Sequence, residues 1–122
     1  MRISSGESVI MAVLWRRSPI PSEDILAEVA EPNGWSEGTV RTLLNRLLKK
    51  NAVEAVREGR RYLYRPLVAR DDYVKAESKS LIDRLFEGRL SPLVTHFAQH
   101  HELTADDIAE LRKLIDKVDH GR

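Results

Sequence analysis

The sequence lacks cysteine altogether, and it has no long apolar run. Without cysteine the chain can form no disulfide, no thiolate metal site and no cysteine nucleophile. Its longest apolar stretch, residues 9–15, is far too short to cross a bilayer, and the N-terminus shows no signal-peptide pattern. We therefore expect a cytoplasmic protein that is not inserted into a membrane.

Recognisable catalytic motifs are missing as well. There is no Ser/His/Asp ordering, zinc motif or Gly-rich phosphate loop, and the carboxylates lie where helix caps and solvated helix faces favour them. His96 and His100 have the i, i+4 spacing that can present two imidazoles to one metal, and His101 adjoins them, but no third ligand is evident. Surface or interface histidines are the favoured interpretation. We expect no enzyme activity, no cofactor and no bound metal.

Charge is distributed unevenly along the 122 residues, although the net charge is only +1. Residues 36–66 hold eight Lys/Arg and three Asp/Glu, whereas residues 1–35 and 67–122 each have two more acids than bases. A basic middle third between mildly acidic flanks is typical of a nucleic-acid-binding element. The length suits one globular domain with a small appendage.

The stretch from Trp35 to Asn51 predicts one amphipathic helix with two different faces. Ser36 is placed to cap its N-terminus, and Asn51 suits a left-handed residue at its end. The side expected to be buried carries Val40, Leu43, Leu44, Leu47 and Leu48. The other side has no acid from Thr39 onward, and it offers groups that contact phosphates and base edges. Those groups belong to Arg41, Thr42, Asn45, Arg46 and Lys49. A solvated basic helix is the alternative.

Two shorter helices are predicted before this one. Ser4 and Glu7 fit a capping box that opens the first helix, and Ser22 is placed to cap the second. The region around Ile20 is a candidate for one short strand. Pro32-Asn33-Gly34 then predicts a turn, so that the second and third helices form a helix-turn-helix.

A β-hairpin is predicted directly after the basic helix. Residues 52–57 and 61–67 are both β-prone, and Gly59 between them is free to take positive φ. A hairpin in this position is the wing of a winged helix. Its tip carries three arginines, which a phosphate partner would explain: Arg57, Arg60 and Arg61. A solvated hairpin tip is the alternative, and Tyr62 and Tyr64 are interpreted as packing residues rather than stacking surfaces.

Three amphipathic helices are predicted beyond residue 69. The first spans residues 70–86, Ser91-Pro92 opens the second, and Thr104 with Asp107 caps the third. Such short helices cannot bury their apolar stripes alone. Folding back onto the winged helix is the alternative, but we favour a two-fold dimer. The expected interface residues are Val74, Leu81, Leu85, Phe86, Leu93, Val94, Phe97, Leu111, Leu114 and Ile115.

The sequence thus predicts a mainly α fold with a small β-hairpin wing. Residues 1–69 would form a winged helix-turn-helix DNA-binding domain, and residues 70–122 a helical dimerisation domain. A protein-interaction module is the competing function, because winged helices also serve as protein-binding surfaces. The acid-free helix face and the arginine-tipped wing count against that alternative.

Four strings make the chain resemble the penicillinase-repressor family of bacterial transcription regulators, over roughly residues 3–118. They are VIMAVLW at 9–15, WSEGTVRTLLNRLLKK at 35–50, EGRRYLYRPLV at 58–68 and SKSLIDRLFEGRLSPLV at 78–94. The resemblance implies an N-terminal winged helix, a C-terminal helical dimerisation domain and a homodimer. Such a homodimer would repress genes by occupying a dyad operator, in double-stranded DNA, with TACA/TGTA-type half-sites.

Individual residues follow from the same resemblance. Carried over by position, the resemblance implies that six residues contact the DNA: Gly38, Thr39, Arg41, Thr42, Asn45 and Arg46. It brings Arg60 and Arg61 of the wing to the backbone or minor groove. We further expect Lys49, Lys50 and the wing arginines to neutralise phosphates.

Two departures from the family concern release from DNA. The best-studied branch is derepressed by a membrane-sensor protease system that cleaves an Asn–Phe bond in the dimerisation domain. The matching candidate bond here joins His96 to Phe97, so the Phe is kept and the Asn is not. A copper-responsive branch binds metal through C-terminal cysteines, a sensing mode that this cysteine-free chain excludes.

Overall fold

The computed structural model describes residues 2–120, and within that range six helices and three short strands are present. The helices are α1 (Ser5–Arg16), α2 (Ser22–Asn33), α3 (Glu37–Lys49), α4 (Arg70–Phe86), α5 (Leu90–Gln99) and α6 (Ala105–His120). The strands are β1 (Ile20–Pro21), β2 (Val53–Glu58) and β3 (Arg61–Pro66). The predicted fold class, mainly α with a small hairpin wing, is confirmed.

Local capping signals position the first helices. Ser4 and Glu7 form the predicted capping box: the Glu7 backbone N–H donates to Ser4 Oγ at 3.1 Å, and the Ser4 N–H donates to Glu7 Oε1 at 2.8 Å. The predicted cap at Ser22 is wrong. Pro21 occupies the cap position of α2 because it is already held extended in β1, which leaves Ser22 inside the helix.

The turn between α2 and α3 starts later than the sequence suggests. Pro32 lies within the last turn of α2, and the chain reverses at Gly34, whose φ of 65° is left-handed. At the far end of α3, Asn51 takes the predicted left-handed conformation, with a φ of 62°. These two residues therefore bracket α3.

The strands form one antiparallel sheet in the order β1-β3-β2. Ile20 pairs with Tyr64, which confirms the short strand predicted there. The predicted hairpin is also present: β2 and β3 pair out to Glu58 and Arg61, and Gly59 turns between them with a φ of 63°. The hairpin therefore projects directly after α3 as a wing.

One hydrophobic core fixes α3 against its neighbours. Ile10, Met11, Ile25 and Leu47 are completely buried where α1, α2 and α3 meet. The indole N–H of Trp15 donates to the carbonyl oxygen of Val68 at 2.8 Å, which ties α1 to the segment after the wing. Because close-packed interiors resist deformation, this core holds α3 in a fixed position.

The chain divides into two compact units, one ending at Val74 and the other beginning at Lys75. In the second unit the predicted capping box at Thr104 and Asp107 is present. The predicted cap at Ser91 is wrong, because α5 already begins at Leu90 and the Ser91 carbonyl accepts a bond from the Thr95 hydroxyl. None of the helices found between residues 2 and 120 has the length and apolar character needed to cross a membrane.

Candidate nucleic-acid interface

Helix α3 carries the candidate interface on its outer face. Ser36 caps the helix as predicted, because its hydroxyl accepts the Thr39 N–H at 3.1 Å. The inner face is buried through Val40, Leu43, Leu44 and Leu47. The residues left exposed on the opposite side are Gly38, Thr39, Arg41, Thr42, Asn45, Arg46 and Lys49. Core packing therefore presents these predicted residues together on one surface.

Two grooves run along the flanks of this helix. One is lined by Thr39, Thr42 and Arg46, and the other by Arg41, Asn45 and residues from the start of α2. The exposed α3 face is thus a ridge with open space on both sides. A convex helix of this kind is the shape that the DNA major groove admits.

Gly38 lies near the N-terminal end of the ridge, and packing within the protein does not require a glycine there. A Cβ atom built at this position would have its nearest contact, Ser36 Oγ, at an ordinary 3.7 Å. Glycine lowers helix stability relative to alanine by about 0.5–1 kcal/mol. A small residue at this position leaves room for close approach of another molecule to the helix backbone.

Glu37 is an acidic neighbour that the sequence reasoning left aside. Its Oε1 accepts a hydrogen bond from Arg41 Nη2 at 2.8 Å, and both side chains are about two-thirds exposed. An exposed i, i+4 pair contributes only about 0.3–0.5 kcal/mol. Arg41 can therefore exchange Glu37 for a phosphate or a base edge at small cost.

Lys50 has a different environment from its neighbour Lys49. Its Nζ lies 2.6 Å from Glu7 Oε1 and 2.7 Å from the carbonyl oxygen of Arg2. Glu7 is only 1% exposed, so the pair joins the end of α3 to the start of α1. No sequence pattern predicts this contact, because the partners are 43 positions apart.

The surroundings of Glu7 favour its charged form. Burial raises the pKa of this carboxyl, but hydrogen bonds from Lys50 and from the Ser4 backbone and hydroxyl, together with the Lys50 charge, outweigh burial. The net result is a pKa below the ordinary value of 4.5. Glu7 is therefore a buried anion at neutral pH, and Lys50 is the cation that balances it.

The wing places its three predicted arginines on the surface. Arg57 donates from Nε to the carbonyl oxygen of Gly59 at 3.1 Å, while Arg60 and Arg61 are exposed beside the turn. Tyr64 packs against the core as predicted. Tyr62 does not, because half of its surface is exposed, and the interpretation of Tyr62 as a packing residue is therefore wrong.

The residues predicted to mediate dimerisation are exposed or half-buried. None of the residues in α4, α5 and α6, which all lie within the described range, is fully buried. The predicted set is Val74, Leu81, Leu85, Phe86, Leu93, Val94, Phe97, Leu111, Leu114 and Ile115. Large exposed apolar residues that the prediction omitted are Leu90, Ile108 and Val118.

Three of the four histidines, His96, His100 and His101, lie in or next to α5, as does the candidate cleavage bond. The rings of His96 and His100 lie with centroids 4.3 Å apart and are tilted by 37°, and His96 meets Phe97 edge to face. Within residues 2–120 no cluster of three or more His, Cys, Asp or Glu could hold a metal ion. The bond between His96 and Phe97 lies inside the helix rather than in a loop.

Comparison with known proteins identifies the relatives of the whole chain. The family described as Penicillinase repressor matches residues 3–117. The Penicillinase repressor of Bacillus licheniformis is 32% identical, over 95% of this chain and 91% of the relative. The Methicillin resistance regulatory protein MecI of Mammaliicoccus sciuri is 31% identical, over 94% of each chain.

Solved structures resemble the N-terminal part of the molecule. The solution structure of the DNA-binding domain of the repressor BlaI aligns with a TM-score of 0.54 and 36% identity, covering 59% of this chain and 88% of that one. The monomeric form of Bacillus licheniformis BlaI, solved with the blaP half-operator, gives the same score and identity, covering 60% and 89%.

Proposed function

This chain belongs to the penicillinase repressor family, and we propose that it is a DNA-binding transcriptional repressor that occupies a dyad operator as a homodimer. The observation that carries the proposal is the outer face of α3. From Thr39 to Lys49 that face combines guanidinium, amide, hydroxyl and ammonium groups with no acid. Those groups pair with base edges and phosphates in a major groove.

We assign two kinds of DNA contact to this surface, contacts to base edges and contacts to phosphates. Thr42, Asn45 and Arg46 lie along the exposed centre of the ridge, where side chains reach base edges and choose the sequence. Lys49 at the helix end, with Arg57 and Arg60 of the wing, neutralises phosphates and sets the affinity and its salt dependence. Lys50 is left out of this set, because its ammonium is held by Glu7.

Occupation of a dyad requires two copies of the winged helix. The relative BlaI was solved as a monomer on a half-operator, which supports one winged helix per half-site. The apolar faces of α4, α5 and α6 would hold the two copies together, because exposed leucines, isoleucines and valines are stabilised by burial against an identical surface. Repression then follows from occupancy of the operator.

Release from DNA is proposed to act through the same C-terminal unit. A signal that separates the two copies would lower operator affinity without changing α3. Cleavage between His96 and Phe97 by a membrane-sensor protease system is one such signal. Because this bond lies inside α5, a protease would need the helix to unwind locally before it could cut.

Fluorescence anisotropy with the full chain tests the proposal. One duplex carries a TACA/TGTA-type inverted repeat, and the control carries the same bases scrambled, each titrated at several salt concentrations. We expect tighter, cooperative binding to the repeat. The logarithm of the binding constant should fall by about 0.9 per phosphate contacted for each tenfold rise in salt concentration. Equal affinity for both duplexes would contradict sequence-specific repression at this operator, and no binding to either at low salt would contradict DNA binding altogether.

Arg46 tests the base-reading role directly. Arg46→Ala should weaken binding to the inverted repeat by roughly 1–3 kcal/mol while affecting the scrambled duplex much less, because a base contact carries sequence information. Arg112→Ala removes an arginine that is also exposed, from α6, and serves as the control. An equal loss on both duplexes would make Arg46 a phosphate contact instead.

A further inference from the structure

The pairing register sorts the side chains of the wing onto two chemically different faces. Residues directly opposite each other in antiparallel strands point to the same side of the sheet. Arg57 is opposite Tyr62, and Ala55 is opposite Tyr64, which puts these four residues on one face. The other face carries two acid–base cross-strand pairs, Glu58 with Arg61 and Glu54 with Arg65.

Tyr64 shows which face looks toward α3. Its ring packs against the hydrophobic core and lines the groove beside Arg41 and Asn45 of the ridge. Arg57 and Tyr62 continue that face outward to the tip of the hairpin. The arginine and the tyrosine therefore extend the same side of the molecule that presents the exposed face of α3.

The arginines on the opposite face have acidic neighbours. Arg65 forms an ion pair and a hydrogen bond with Glu54, and Arg61 directly faces Glu58 across the strands. The Glu54 carboxylate cancels much of the field that Arg65 would offer to a phosphate, and Glu58 opposite Arg61 lowers the field of that arginine. Arg57 and Arg61, which the sequence does not distinguish, thus differ in their electrostatic surroundings.

Arg57 and Tyr62 both have hydrogen-bond donors that remain available to another molecule. The Nε of Arg57 is fixed by its bond to the Gly59 carbonyl, which leaves the terminal guanidinium donors to an external acceptor. Beside it, Tyr62 keeps 50% of a large aromatic surface in solvent. A guanidinium and a phenol hydroxyl side by side supply two donors of the kind that bind phosphate oxygens.

We propose that Arg57 and Tyr62 together bind one phosphate of the operator backbone next to the groove that α3 enters, and that Arg61 does not contact the DNA. This inference rests on the proposed function and deepens it, since it names the wing residues that touch the backbone. The phenol hydroxyl and the guanidinium each donate to a phosphate oxygen, and no covalent change is involved.

The experiment uses full-length protein, the inverted-repeat duplex and two matched pairs of variants. Arg57→Gln and Arg61→Gln remove the same charge from opposite faces of the wing. Tyr62→Phe removes only a hydroxyl, and Val56→Ala trims a residue of similar exposure, 44%, on the other face. All four side chains are exposed, so thermal unfolding should show little change in stability.

We expect Arg57→Gln to weaken binding roughly tenfold and to reduce the salt slope by about 1.8, because each of the two copies on the repeat loses one phosphate contact worth about 0.9. Tyr62→Phe should weaken binding roughly three- to tenfold with the slope retained, because no charge is lost. Arg61→Gln and Val56→Ala should change affinity less than about twofold, a shift within the usual range for surface positions.

Other outcomes would overturn the proposal. If Arg61→Gln costs as much affinity as Arg57→Gln, the two faces are equivalent and the assignment is wrong. If Tyr62→Phe binds like the parent protein, the hydroxyl makes no phosphate contact and the pair does not exist. Failure of the parent protein to bind either duplex would instead overturn the proposed function itself, so the two failures are distinguishable.

Discussion

The two compact units of this chain use their hydrophobic side chains in opposite ways. In the unit that ends at Val74, large residues such as Ile10, Ile25 and Leu47 are completely buried. In the unit that begins at Lys75, Leu85 and Ile115 keep 63% and 61% of their surfaces exposed. Both units are helical and both are amphipathic in sequence, so composition alone does not explain the contrast.

Element geometry does explain it. In the first unit three helices cross, and a sheet edge closes the space between them, which gives every apolar stripe a partner from the same chain. Residues 75–120, the part of the second unit that the structure describes, form helices and no sheet, so their apolar stripes remain partly open in a single copy. Soluble monomers rarely leave so much apolar surface exposed. The first unit is expected to be stable by itself, and the second to depend on a second copy.

The largest expected effect comes from separating the units. A fragment ending at Val74 should fold cooperatively, remain a monomer and bind the inverted-repeat duplex about 10²- to 10⁴-fold more weakly than the full chain, because the two half-sites are no longer bound by linked domains. Analytical ultracentrifugation and anisotropy provide the measurements. A dimeric fragment would show that the second unit is not what holds the copies together.

One leucine from each unit sharpens the contrast. Leu47→Ala opens a cavity in a closed core and should lower the free energy of unfolding by roughly 2–5 kcal/mol at any protein concentration. Leu114→Ala, at a side chain that is 58% exposed, should act mainly by weakening dimerisation. Its loss of stability should therefore be small at low protein concentration, where both proteins are monomers, and should grow at concentrations where the parent protein is a dimer. Urea unfolding at two widely spaced concentrations separates these cases, and concentration-independent loss for Leu114→Ala would contradict the dimer interface.

Two neighbouring lysines offer a smaller effect within the first unit. Lys50→Met leaves the buried Glu7 without its cation and should destabilise the fold by on the order of 2–3 kcal/mol, the lower range because Lys50 is itself partly exposed. Lys49→Met should leave stability nearly unchanged but reduce the salt slope of DNA binding by about 0.9 for each of the two copies on the operator. Urea unfolding and salt-dependent anisotropy provide the measurements. A reduced slope for Lys50→Met would return that lysine to the phosphate contacts.

The smallest expected effect is the acid response of Glu7. The pKa of Glu7 is lower in the folded protein than the ordinary value of 4.5. Ionisation of Glu7 therefore adds its full contribution to stability at pH values above 4.5. This contribution is lost as the pH falls through the folded-state pKa. Thermal unfolding between pH 7 and pH 3 should therefore show a steeper loss for the parent protein than for Glu7→Gln. Parallel curves would mean that Glu7 does not carry this contribution.

Features that depend on residues close together in the sequence could be predicted, and features that depend on a neighbouring element could not. Capping at Ser4, Ser36 and Thr104 was predicted correctly, because a cap involves only residues three positions apart. The caps at Ser22 and Ser91 were predicted wrongly: the strand that holds Pro21 and the earlier start of α5 at Leu90 each moved a helix boundary. Suitable residues at a boundary do not fix the boundary when a neighbouring element also restrains the chain.

The candidate site shows the same division. The periodicity of α3 separated its exposed residues from its buried ones, so the ridge could be derived from the sequence. Helical periodicity does not predict different roles for Lys49 and Lys50. The contact between Lys50 and Glu7 separates them. Likewise, Arg57 and Arg61 have equal charge and similar positions near the turn, and only the cross-strand register assigns them to different faces.

The sequence by itself determined the helices, the hairpin, the basic face of α3 and the family, because helical periodicity, turn residues and matched strings are local properties of the chain. Only the tertiary structure decided which charges are committed inside the protein and which remain available to a partner. The physical reason is that burial and pairing depend on atoms brought together from distant positions. Glu7 and Lys50 meet across 43 positions, and that contact changes the role expected of both.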